Sequence, residues 1–211
     1  MIVKNFKTKG IVLASFLLLF CFSFSYAQQE QSAEVFQKEL DEFYKNPEES
    51  PLKSKAKEFK GHKFFPINDK LRIEAKFTRT LNALPFHMKT TTNRLPVYEK
   101  YGEVAFKIDG QEMSLTLYQG HATREKEEYK DNLFLPFTDM TNGAETYQGG
   151  RFIDMQIPEG DRVYIDFNKA YNPYCAYNAN YSCPIPPKEN DLNVRIEAGV
   201  KYEKINDDIS K

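Results

Sequence analysis

The residues able to do chemistry crowd into one part of the chain. It contains LFLPFTDMT (133–141), ETYQGGRFID (145–154), DFNKAYNPYCAYNANYSCPIPPKEN (166–190) and a closing RIEAG (195–199). Asp139, Thr141, Glu145, Arg151, Asp154, Asp166, Asn168, Asn172, Glu189 and Asn190 supply carboxylates, amides, a hydroxyl and a guanidinium. Tyr147, Tyr171, Tyr174, Tyr177 and Tyr181 add flat rings with a polar tip.

Three readings compete for this set. In a binding reading, Arg151 clamps an anion through two parallel N–H donors, and Asp166, Asn168 and Asn190 orient a polar ligand. Asp139, Thr141 and Glu189 are further ligand-binding candidates, and Tyr147 and Tyr171 lead the tyrosines that stack on a sugar or aromatic ring. In an enzyme reading, two of Asp139, Asp154, Asp166 and Glu189 form the acid/base pair of a hydrolase, as glycosidases use. In a structural reading, Arg151 pairs with Asp166 or Asp154 and ties a long loop down. Gly149 and Gly150 then take positive φ, and Asn168, Asn172 and Asn178 cap turns through their side chains.

Other chemistries lack their residues. No serine stands in G-x-S-x-G, and neither G-x-G-x-x-G nor a Walker loop occurs. His62, His87 and His121 are isolated from one another, so no H-x-x-x-H metal pair exists. His87, between Phe86 and Met88, is expected on the solvent face of a strand. The acids form no D-x-D-x-D-G loop, so no metal and no cofactor is assigned.

The first residues predict export. Lys4, Lys7 and Lys9 precede an apolar run from Ile11 to Phe24, and Ser25-Tyr26-Ala27 is a small-x-small cleavage signature. That is the pattern of a secretory signal peptide over 1–27. The run is shorter than the roughly 20 residues a membrane span needs. A lipid-bearing Cys21 is disfavoured, because Phe20 stands where a small residue belongs. The expected location is the periplasm or cell envelope, with no membrane span after cleavage.

Removing 27 of 211 residues leaves 184, a length that suits one domain over 28–211. The leader takes three lysines and no acid, which moves the formal net charge from −1 to −4. There is no basic excess to attract nucleic acid. Cys175 and Cys183 remain, and an even count in an exported chain favours a disulfide. Closing so short a loop contributes about 2.5 kcal/mol on the chain-entropy model. Two free thiols are the next alternative, and zinc or a redox pair is weaker, with no C-x-x-C and no histidine nearby.

The elements that must position these groups are mostly strands. Phe36, Leu40, Phe43 and Tyr44 mark a helix over 30–45, ended by Asn46-Pro47. Ser50, Pro51, Leu52, Ala56, Phe59 and Gly61 mark a second short helix. After Gly61 the apolar period becomes two. Ile73, Ala75 and Phe77 alternate, then Phe86, Met88 and Thr90. Val104, Phe106 and Ile108 are joined to Met113, Leu115 and Leu117 by Asp109-Gly110, a hairpin signal. A second hairpin is expected between Ile153–Ile157 and Val163–Phe167 around Glu159-Gly160-Asp161, and a last strand at Val194, Ile196 and Ala198. The fold class is mainly β, an antiparallel barrel or sandwich preceded by two short N-terminal helices.

The same segments resemble the bacterial domain-of-unknown-function family numbered 1684, a group of exported proteins. Its closing pattern is matched by Phe137, Asp139, Thr141, Gly143, Thr146, Tyr147, Gly150 and Arg151. The match continues through Asp166, Phe167, Asn168, Ala170, Tyr171, Asn172, Pro173, Cys175 and Ala176. Cys183, Pro184, Pro186, Pro187, Asn190, Ala198 and Gly199 complete it. A looser likeness reaches back to about Glu48, so the family-like region is about 48–200. Val200 departs from it, standing where the family usually carries an acid. The resemblance brings no activity with it. The leading functional reading is therefore a non-catalytic envelope module that binds a small polar ligand or a glycan. A carboxylate hydrolase and a structural partner of an envelope protein are the alternatives.

Overall fold

The computed structural model describes residues 31–203. The leader expected at 1–27 lies outside them. Helix α1 runs Ala33–Lys45. It starts where the Ser32 hydroxyl accepts the Val35 N–H, and it carries Glu34 in its first turn and Lys45 in its last, both favoured by the helix dipole. The second expected helix is a 3-10 turn over Lys53–Glu58. Lys53 at φ 54° blocks an α-helical path there, and the Ser50 hydroxyl accepts from Leu52 N–H, inside a tight turn.

Eight strands follow: β1 (Arg72–Arg79), β2 (Phe86–His87), β3 (Val97–Ile108), β4 (Gln111–Gly120), β5 (Asn132–Asp139), β6 (Arg151–Gln156), β7 (Arg162–Asp166) and β8 (Asp191–Leu192). A short helix α2 (His121–Arg124) joins β4 to the β5 side. All the strands share one sheet in the order β6-β5-β4-β3-β1-β7, with β2 beside β3 and β8 beside β5. Every pairing is antiparallel except β5 with β8. The fold is mainly β, as expected, and takes the form of a curled half-barrel.

The Asp109-Gly110 hairpin forms between β3 and β4. Both residues sit at positive φ, 48° and 81°, as its two-residue turn requires. The expected second hairpin does not form. β6 pairs with β5 and β7 with β1, at opposite edges of the sheet. Residues 157–161 connect those edges, and this connection explains the curl. Six flat strands would hold the edges about 24 Å apart. Five extended residues between them span at most about 21 Å, and residues 159–161 bend. The sheet must fold toward itself for the chain to connect.

Curling makes an inside and an outside. Ala75, Phe77, Val104, Phe106, Leu115, Leu117, Leu133, Leu135, Phe137, Ile153 and Met155 fill the inside with Ile165 and Phe167. The outside carries Tyr98, Tyr118, Phe134 and Phe152. Residues 167–190 cross it as a strap, and α1 packs on that strap with Phe36 against Tyr171 and Phe43 stacked on Tyr174.

Pro136 sits mid-strand in β5, opposite Thr116 of β4 by the Tyr118–Phe134 register, and it has no N–H to donate. The Asn190 side chain repairs the ladder. Its Oδ1 accepts Thr116 N–H at 2.8 Å, and its Nδ2 donates to Thr116 O at 2.9 Å and Pro136 O at 2.7 Å. Asn190→Ala would leave these buried groups unpaired and is expected to cost about 1–3 kcal/mol, measured as a lower urea midpoint at unchanged slope.

Candidate functional site

Arg151 opens β6 and points into the core. Its side chain and that of Asp139, at the end of β5, are both 0% exposed. Gly150 sets the entry. It lies at φ 89°, and a Cβ there would meet Phe137 O at 2.6 Å. The Arg151 guanidinium donates to Asp139 Oδ2 at 2.7 Å, to Ile196 O at 2.8 Å and to Ala198 O. Thr141 Oγ1 lies at 3.5 Å. Asp139 Oδ1 accepts Thr141 N–H at 2.7 Å and Ile196 N–H at 3.3 Å. Burial works against the Arg151 charge and Asp139 works for it. The partner is thus Asp139, in place of the expected Asp166 or Asp154. The expected strand at 194–198 is absent for the same reason. Ile196 and Ala198 alternate into the core, but side chains satisfy their backbone groups where a ladder would have done so.

The other candidates lie elsewhere. Asp166 Oδ1 accepts from the backbone and side-chain N–H groups of Asn168, and the Asn168 amide pairs with both backbone groups of Asn68. Burial opposes the charge of Glu189, but Lys100 Nζ at 2.7 Å and the Tyr118 hydroxyl at 2.9 Å hold it below the usual carboxylate range. Tyr147 packs edge-on against Tyr202. Arg151, Asp166 and Asn190 therefore serve three separate knots of hydrogen bonds. The structure brings together Asp139, Thr141 and Arg151, and these fill their own space.

A cavity of about 440 Å³ does open on the outside of the sheet. Phe36 and Phe43 of α1 form one wall, and Tyr98, Phe134 and Phe152 of β3, β5 and β6 form the floor. Tyr171, Tyr174, Tyr181, Cys183 and Pro184 of the strap complete it. Asp154 of β6 also lines it, the only one of the four candidate acids to do so. Tyr171 donates its hydroxyl to Asp154 Oδ2 at 2.8 Å. Asp154 is exposed at the cavity, and the rings crowded around it push its carboxyl above the ordinary range, against the pull of the Tyr171 hydroxyl. Burial and Asp154 push Tyr171 well above the usual tyrosine range, so it stays a donor.

Of the cavity's polar pair, Tyr171 is a ligand candidate in the sequence, whereas Asp154 enters there as a catalytic acid or as a partner for Arg151. The aromatic floor was missed. Its signal was there: Phe134 and Phe152 fall out of phase with the inward-facing Leu133, Leu135 and Ile153, which marks strands covered on both faces.

Cys175 and Cys183 are both thiols in the structure, half-buried and buried. They hydrogen-bond each other, and Cys175 N–H donates to Cys183 Sγ at 3.0 Å. The bond from Cys183, aided by the Tyr147 hydroxyl, lowers the Cys175 thiol from its usual range despite burial.

A family model described as a protein of unknown function, DUF1684, matches residues 57–201. The chain belongs to this family. Among curated proteins none matches it. The DUF1684 chain is also similar to the solution NMR structure of an uncharacterised protein from gene locus rrnAC0354 of Haloarcula marismortui. The two share 29% identity at a TM-score of 0.64, over 82% of this chain and 94% of that one. Val200, the departure from the family pattern, is buried and bridges Phe64, a place that suits an apolar side chain.

Arg151→Met is expected to cost about 3–5 kcal/mol, because it leaves Asp139 buried and charged. Asp139→Asn keeps an acceptor for Thr141 and Ile196. Combined with Arg151→Met, its cost should fall short of the two single losses added together by about 0.5–3 kcal/mol in urea unfolding.

Proposed function

We propose that the protein is a non-catalytic module of the periplasm or cell envelope that binds a small molecule in the ring-walled cavity between α1, the sheet and the strap. One observation carries this reading. Asp139, Asp166 and Glu189 each lie within 4.0 Å of a cation, Arg151, Lys169 and Lys100 in turn, whereas among the described residues Asp154 faces open space with a tyrosine hydroxyl as its hydrogen-bond partner. A cavity with apolar walls and a few polar groups is the usual form of a small-ligand site. The proposed ligand contacts accordingly move from Arg151, Asp166 and Asn190 to Asp154 and Tyr171. The basic, apolar and small-residue order of 1–27 supports export. The hydrolase alternative needs two carboxylates across one groove, and this cavity holds Asp154 alone of the four.

The neutral fluorescent probe N-phenyl-1-naphthylamine should bind the protein at one site with enhanced emission. Asp154→Trp, which fills the cavity from its floor, should abolish that signal while leaving the fold intact by circular dichroism. Equal binding by the variant would place the site elsewhere and end this reading.

Export also bears on the thiols. We propose that Cys175 and Cys183, already in contact, close into a disulfide in an oxidising compartment, passing two electrons and two protons to the thiol oxidant there. Protein recovered from the envelope should resist thiol labelling until reduced, and reduction should lower its stability by about 2.5 kcal/mol. Labelling of both cysteines without reductant would rule the bond out.

A further inference from the structure

We propose that the cavity takes a cation with apolar substituents, an alkylammonium head such as a quaternary amine. This rests on the cavity being a ligand site and adds the sign of the ligand's charge. Eight aromatic rings line the space, and no lysine, arginine or histidine does. Ring faces are electron-rich and attract a cation placed over them. The rings stand at angles to one another, Phe134 to Phe152 at 72° and Tyr174 to Tyr181 at 76°, so they offer both faces and edges to one occupant. One carboxyl stands among them, at Asp154, and Tyr171 fixes its orientation.

The chemistry selects against the alternatives. An anion would meet Asp154 with no positive group in the lining. Arg94 stands beside the lining residue Ser182 and is held on it, donating to Oγ at 3.1 Å and to the carbonyl at 2.8 Å. A highly polar neutral ligand would leave most of its hydroxyls unpaired against rings. An alkylammonium loses little on leaving water, because its methyl groups already spread the charge. It gains the ring faces and pairs with the carboxylate.

Binding should also depend on pH, since a proton on Asp154 competes with the cation. The groups facing Asp154 are Tyr98 on β3 and Tyr171, Tyr174, Tyr181 and Cys183 on the strap, with Arg94 at the rim. Burial raises Tyr98, Tyr171 and Tyr174, so those hydroxyls stay neutral while Asp154 titrates. Cation binding should strengthen as pH rises through the Asp154 titration, above the ordinary carboxyl value of about 4.

The test is calorimetric titration of the purified protein with choline and with 3,3-dimethylbutan-1-ol, its uncharged carbon isostere, beside the neutral naphthylamine probe. Choline should bind at least tenfold tighter than the isostere. Asp154→Asn should remove that preference without removing binding of the probe. If the isostere binds as well as choline while the probe still binds, the cavity is a ligand site and the cation inference is overturned. If choline, isostere and probe all fail, the cavity reading falls with it. Should Asp154→Asn not fold, the choline-to-isostere ratio on the unaltered protein decides alone.

Discussion

The structure depends on one buried guanidinium. Arg151 is wholly enclosed, and enclosure of a charge costs several kcal/mol unless good partners surround it. Asp139 neutralises it, and the carbonyls of Ile196 and Ala198 each accept a further N–H, while Nε has no partner among the described residues. Those two carbonyls belong to a segment that forms no strand. Its backbone would otherwise be buried without partners, which the interior does not tolerate. The ion pair therefore seals the half-barrel, holding an irregular chain end in the core where a further strand would be regular. Gly150 at the entry to β6 and the tight turn from Thr141 to Thr146 keep both charges in register.

The same economy recurs on the outside of the sheet. Asn190 substitutes for the hydrogen bond that Pro136 cannot make, and the Asn168 amide pairs with the backbone of Asn68. Amide side chains thus act as short pieces of ladder, anchoring both ends of the strap. A strap fixed at its ends and held off the sheet by rings between them leaves space beneath it. The cavity follows from that geometry. The polar groups that make the strap rigid are used up in doing so, which is why they are poor ligand contacts. Asp154 escapes because it projects from β6 toward the covered face, where rings and not amides surround it.

Much of this was legible. Local pairings read well: Asp109-Gly110 names its hairpin because two positive-φ residues between alternating runs leave few other options. Pairings decided at a distance did not. The runs in β6 and β7 flank a turn just as a hairpin does, and nothing local says that each takes a partner more than ten residues away. The alternation of Val194, Ile196 and Ala198 was a true report of burial but not of a ladder, since Arg151 supplies the missing donors from another element. The polar residues are unusual in type and crowding. Their type could not say whether they converge, because a buried arginine and a binding arginine have the same sequence signature.

The family resemblance rests largely on frame residues. The matching residues include Asp139, Thr141, Arg151, Asp166, Asn168 and Asn190, and each of these holds the frame. Most of the cavity's floor and its α1 wall, including Phe36, Tyr98, Phe134 and Asp154, lies outside that pattern. Only strap residues such as Tyr171, Pro173 and Cys183 belong to both. A pattern made of frame residues identifies the fold and is silent about the ligand. Two chains can share the ion pair, the Asn190 repair and the strap, yet present different floors to whatever enters. The chemistry of this chain is therefore better read from the out-of-phase side chains of β5 and β6 than from the motif that names its family.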